Sequence, residues 1–290
     1  MQADARDARR DLAGQPLLLL MLALYYADPE VEFDAGLSTA DLYAGLLDTY
    51  ARREATKSAG CALDEDTVRR KAADQLHRLA VAALGMFNRG RQHISEDELS
   101  ADLRALEIDG TGDQLIGEFF FVHINQAHTT RTQRVYEFLH ATFAEYLVAV
   151  RACEVLLVAV ATMRAGARKS VDDELCTLLS HQPLSTQAPV LEFAAEWMAN
   201  RDVAERAELA GALDRLIAEH RSRPPSPRYT TYQPLEPDRI RATAAYCANL
   251  VLLRALALGE ENPSFDGARW PRCVALFEAG LDHSAYTSVL

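Results

Sequence analysis

Basic charge is what this chain is shortest of. Its 290 residues carry 30 Lys and Arg against 42 Asp and Glu, a formal charge of −12. A protein that grips nucleic acid without sequence preference needs a basic surface to displace counterions from phosphates. This chain repels phosphate on average, so nucleic acid is not an expected partner unless positive charge is gathered locally. Closely spaced cysteines are also missing. The five Cys stand at 61, 153, 176, 247 and 273, with no Cys-x-x-Cys among them. Zinc ribbons and redox pairs are therefore not expected, and scattered thiols fit a reducing compartment, where Cys serves as a small apolar residue. Long apolar runs are absent too. The longest, Pro16 to Ala27, is too short to span a bilayer, and the stretch from Val148 to Met163 carries Arg151 and Glu154. The opening MQADARDARRDLAG is mixed in sign and unlike a signal peptide. The expectation is a soluble, cytoplasmic protein with no membrane partner.

The chemical motifs of common enzymes are missing as well. A phosphate loop needs Gly-x-x-x-x-Gly-Lys-Ser/Thr, and neither Lys57-Ser58 nor Lys169-Ser170 has a Gly before its Lys. No Gly-x-Ser-x-Gly occurs. His77, His93, His181, His220 and His283 are isolated from other metal-ligand residues. Asp64-Glu65-Asp66 and Asp172-Asp173-Glu174 each fall at a helix start, where negative charge is favourable without any catalytic role. No catalytic residue and no metal site is assigned.

What is present is helix. Hydrophobic residues make up 49% of the chain, enough for a core. Leu17 to Tyr26 is apolar all round, with Pro16 in its first turn and Asp28-Pro29 at its end. Ser38 is a good N-cap for an amphipathic helix over Thr39–Ala55, and Asp66–Phe87 is a second, stopped by Asn88-Arg89-Gly90. Ser95-Glu96-Asp97-Glu98 reads as a capping box opening a short helix to about Leu106. The period then changes. Residues 118–124 and 134–139 are rich in aromatic and β-branched side chains and read as a β-hairpin with 125–133 as a longish tip. Helices followed by a hairpin is the order of a winged helix. From His140 onward all is helical: Ser170 caps one helix, and others cover 188–199, 202–221, 238–258 and 268–280. Between them Arg223 to Pro237, with Pro224, Pro225, Pro227 and Pro234, reads as a linker or exposed loop. The fold class is thus mainly α: a helical domain at 1–58, a winged-helix domain with one β-hairpin at 59–150, and an α-helical region at 151–290 whose helix pairs can stack as a loose solenoid.

Two stretches carry a family resemblance. Gly14-Gln15-Pro16 before Leu17-Leu18-Leu19-Leu20 resembles the Gly-x-Pro motif that opens a helix after the nucleotide-binding core of NACHT-type STAND NTPases. Phe138-Leu139-His140-Ala141-Thr142-Phe143-Ala144-Glu145-Tyr146-Leu147 resembles the Phe-Leu-His-x-x-Phe-x-Glu-Tyr-Leu signature of their winged-helix domain. Met86 to Gln92 and Phe119 to His123 are similar to actinobacterial members. The likeness covers roughly residues 10–150, and the second motif is the more specific.

The resemblance implies a signalling ATPase in which core, helical domain and winged helix close over ADP. It implies Pro16 against the adenine and His140 at the β-phosphate, a contact whose release lets the winged helix move. It places the Walker A lysine, the metal-binding Asp and the arginine sensors upstream of Pro16. The expectation is that this chain alone is no enzyme, lacks Walker A and Walker B, and meets ATP or ADP only together with an upstream NTPase core in the same or a separate chain. A gene fragment, a mis-called start and half of a split system all fit. The helices after 150 would be an arm or sensor for an unknown trigger ligand or protein, in signalling or antiviral defence. Two alternatives stand beside this: a winged-helix DNA-binding regulator with a helical ligand domain, and a non-catalytic helical scaffold. Charge weighs against the first, since Ser95 to Val150 holds Arg104, Arg131 and Arg134, no Lys, and ten Asp or Glu.

Overall fold

The computed structural model describes residues 38–58, 64–109, 122–128, 132–167, 171–223, 228–259 and 269–290. The described elements are α1 (Thr39–Ser58), α2 (Glu65–Asn88), β1 (His93–Ser95), α3 (Glu96–Ala105), β2 (Val122–His128), β3 (Thr132–Phe138), α4 (Ala141–Arg164), α5 (Asp173–Leu179), α6 (Ala188–Ala199), α7 (Val203–Glu219), α8 (Arg239–Leu258), α9 (Trp270–Gly280) and α10 (His283–Val289). The protein is mainly α. Contacts divide it into two compact units, Met1–Arg78 and Leu79–Leu290, with the boundary inside α2.

In the first unit, Ser38 and Asp41 cap α1 reciprocally: the Asp41 N–H donates to Ser38 Oγ at 3.1 Å and the Ser38 hydroxyl to Asp41 Oδ2 at 2.8 Å. Tyr43, Leu46, Leu47, Ala51 and Ala55 form the buried face of α1. Asp64 caps α2 by accepting from the Thr67 N–H at 2.9 Å, so the first acidic cluster is a helix start.

The second unit begins with the last turns of α2. Gly90 has φ +63°, its N–H donates to Phe87 O, and that of Arg91 to Met86 O. This 6→1 and 5→2 pair is the Schellman ending that Gly permits. β1 follows, a three-residue strand that the sequence pattern did not reveal. Ser95 then caps α3 in a complete capping box with Glu98. The sheet order is β1-β3-β2, all antiparallel, with Ile94 opposite Tyr136 and Val122 opposite Phe138. Over the described residues the order is helix, strand, helix, then a hairpin whose second strand pairs with the first strand. The hairpin differs from the sequence reading in one respect. Pairing continues to His128 opposite Thr132, so the tip is far shorter than 125–133. Backbone ladders extend through polar residues once the flanking apolar pairs hold the register. Residues 118–121 lie outside the described residues.

Under the sheet, Arg89 makes a two-pronged ion pair with Asp102 at 2.6 and 2.9 Å, and both side chains are almost wholly buried. Gly85 is the reason they fit. A Cβ there would stand 2.6 Å from Ile94 Cδ1 and 2.8 Å from Asp102 Oδ2. A mid-helix Gly costs about 1 kcal/mol relative to Ala, a cost this close approach explains.

The remaining helices gather about α8, which packs against α5, α6, α7 and α9, while α4 packs against α5, α6 and α7. Fully buried Asn249 on α8 fastens the turn after α5: its Nδ2 donates to Leu179 O and Gln182 O, and its Oδ1 accepts from the Leu184 N–H at 2.7 Å. Both α4 and α8 are long and apolar enough to cross a membrane by length and composition, yet more than half of each apolar stretch is buried against other helices. The proline-rich segment is tied to the rest of the second unit at several points. Arg223 bonds Asp172 and Asp173, Arg228 bonds Glu107, and Tyr232 is 4% exposed. Over its described residues it is mostly exposed and irregular, as expected, but it is strapped down at these points by side chains whose partners lie far away in the chain.

Candidate functional site

Of the two residues the resemblance singles out, Pro16 lies outside the described residues. His140 stands at the junction of β3 and α4. Phe138, the last residue of β3, is buried; Leu139 is 46% exposed; His140 is the N-cap of α4 with extended backbone. The motif's apolar members form the anchor. Phe143 is fully buried, Leu147 nearly so, and Tyr146 meets Phe193 of α6 edge-on at 5.3 Å. These fix where α4 begins and hence where the imidazole stands.

His140 Nδ1 accepts from the Thr142 backbone N–H at 3.3 Å and lies 2.7 Å from Thr142 Oγ1. Imidazole serves as an N-cap only through an unprotonated nitrogen. Partial burial acts in the same direction, lowering the imidazole below its usual value of 6.5. A neutral ring accepting at Nδ1 carries its proton on Nε2. Among the described residues Nε2–H has no hydrogen-bond partner, so the ring presents one fixed donor at the first turn of a 24-residue helix. Such a place suits an anionic oxygen, since helix N-termini favour negative charge. Thr142, which no sequence motif marks, is the residue that holds the ring.

The other sequence candidates have structural tasks. Asp172 accepts from the Arg223 guanidinium at 2.9 Å and from the Tyr246 hydroxyl at 2.7 Å, while Asp173 takes the other arm of Arg223. Among the described residues no group of three or more His, Cys, Asp and Glu is placed to hold a metal ion. His181 faces a cleft of about 270 Å³ between the strap and α5 and α8, with its ring edge-on to Tyr232 at 5.6 Å. Burial pushes this imidazole down to about 4. The cleft's Arg223 and Arg228 are already spent on Asp172, Asp173 and Glu107.

One arrangement is not visible in the cysteine spacing. Cys247 of α8 and Cys273 of α9, 26 residues apart, bring their sulfurs to 3.7 Å. Spacing alone hides this, but each Cys sits on the apolar face of its helix, and such faces meet when the helices pair.

No protein-family model matches the chain, and no curated protein matches it.

Proposed function

We propose that this chain is the regulatory and sensor part of a NACHT-type STAND signalling ATPase, cytoplasmic, acting with an NTPase core that it does not itself contain. The single observation that supports this reading is the His140 imidazole, held by Thr142 so that Nε2–H is offered where the family's signature has its phosphate contact. In this reading the winged-helix segment closes over ADP bound by the core, and Nε2–H donates to a β-phosphate oxygen. Exchange for ATP removes the match between donor and oxygen, and the segment swings away. Pro16 lies against the adenine. The helices beyond α4 receive the trigger, in signalling or antiviral defence.

The test joins or mixes this chain with the NTPase core and compares wild type with His140→Ala. A hydrogen bond to a charged group is worth about 1.5–3 kcal/mol, so ADP retention falls by about 10- to 100-fold in the variant. Unchanged ADP retention removes the role given to His140. Tight, sequence-specific DNA binding in a gel shift at low salt would instead favour a winged-helix regulator, the reading that the element order also fits and that the acidic balance opposes.

A further inference from the structure

We propose that Cys247 and Cys273 form a peroxide-oxidisable dithiol that closes to a disulfide between α8 and α9. The inference is independent of the proposed function and stands on geometry. The two sulfurs are 3.7 Å apart across the closely packed α8 and α9 pair, already in van der Waals contact. Cys273 sits in the first turns of α9, where the helix field favours an anion. Arg221 is fixed beside that turn by a 2.8 Å bond from its Nη2 to Arg272 O. Contact with the Cys247 S–H, a donor to the Cys273 sulfur, together with Arg221 and Arg269, outweighs burial and brings Cys273 down. The same contact and burial push Cys247 up. One thiol is thus the attacking thiolate and the other the resolving thiol. At Cys153 and Cys176 burial outweighs the neighbouring Arg201 and Arg223 and pushes the thiols up.

The chemistry balances with hydrogen peroxide as oxidant. The Cys273 thiolate attacks one peroxide oxygen, the O–O bond breaks, and hydroxide leaves, giving a sulfenic acid on Cys273. The Cys247 sulfur then displaces the sulfenic oxygen, which departs as water with the thiol proton. Two thiols lose two electrons in all, and peroxide becomes water.

The experiment uses the whole chain, reduced, freed of reductant and exposed to dilute hydrogen peroxide at neutral pH. Non-reducing peptide mapping should find the Cys247–Cys273 cross-link, and the intact mass should fall by two hydrogens. In Cys247→Ser, which removes the resolving thiol but keeps a hydroxyl able to donate, with Arg221 and Arg269 still beside Cys273, a sulfenic-acid probe should label Cys273 severalfold more than Cys153. Two results overturn the proposal: oxidation of Cys273 to sulfinic acid with no cross-link in the wild type, or full retention of both thiols under conditions that oxidise free cysteine.

Discussion

Glu98 shows how one side chain can be given several tasks. It closes the capping box of α3, accepting from the Ser95 N–H at 2.9 Å, and it accepts from the Arg91 guanidinium at 2.5 Å. Burial alone would raise its carboxyl, but these bonds outweigh burial and hold it down at about 2, against 4.5 for the free group. A carboxylate lowered by folding contributes stability that is present above the unfolded value and is lost as pH falls toward the folded one. Urea unfolding midpoints should therefore decline as pH drops from about 4.5 to about 2. Glu98→Gln keeps an acceptor for the Ser95 N–H but removes the charge. Its midpoint should be lower at neutral pH, and its decline through that window shallower than in wild type. Equal slopes in the two proteins would show that Glu98 does not carry this dependence.

At the scale of elements, two helical glycines make opposite predictions. Gly211 lies within α7, and a Cβ there meets nothing within 4 Å. Gly211→Ala should stabilise by about 0.5–1 kcal/mol, the propensity difference, read as a higher thermal midpoint. Gly280 ends α9, where a Cβ would stand 2.6 Å from Ala244 Cβ and 2.7 Å from Ile240 O of α8. Backbone cannot give way as a side chain can, so Gly280→Ala should lower the midpoint, at a cost of about 1–3 kcal/mol. Elements were also what the sequence disclosed best. The capping box at Ser95, the stop at Gly90 and the start of α4 after His140 all depend on residues within a few positions of one another, and local chemistry decides them. β1 was not legible because three residues carry no period. The hairpin tip was misjudged because strand pairing through Asn125–His128 is set by register rather than by side-chain hydrophobicity.

The whole molecule is where local reading stopped. Nothing near Arg223 in sequence announces Asp172 and Asp173, about fifty positions away, and nothing near Tyr232 announces Asn88 on α2, which donates to its hydroxyl at 3.0 Å. The facing of Cys247 and Cys273 was hidden in the same way. These long-range bonds turn a proline-rich stretch into a strap. Removing Arg223 would leave Asp172, 7% exposed, with only the Tyr246 hydroxyl as a donor beside it. Losing one partner of such a buried pair costs about 3–5 kcal/mol. Arg223→Ala should therefore lower the unfolding midpoint sharply and expose the strap, so that trypsin cuts after Arg228 in a chain whose helical circular dichroism is still intact. A variant that resists trypsin like wild type would place the strap's anchorage at Tyr232 instead.

The central position of α8 sets the order in which this protein can be made. Its neighbours α5, α6 and α7 are all synthesised before it, and Asn249 is the residue that fastens the turn between α5 and α6. On the ribosome those three helices can pack on α4 as they emerge, but the faces they turn to α8 stay open until Leu258 has cleared the exit tunnel. At about 5–20 residues per second that interval lasts several seconds, during which those open faces are exposed to other chains.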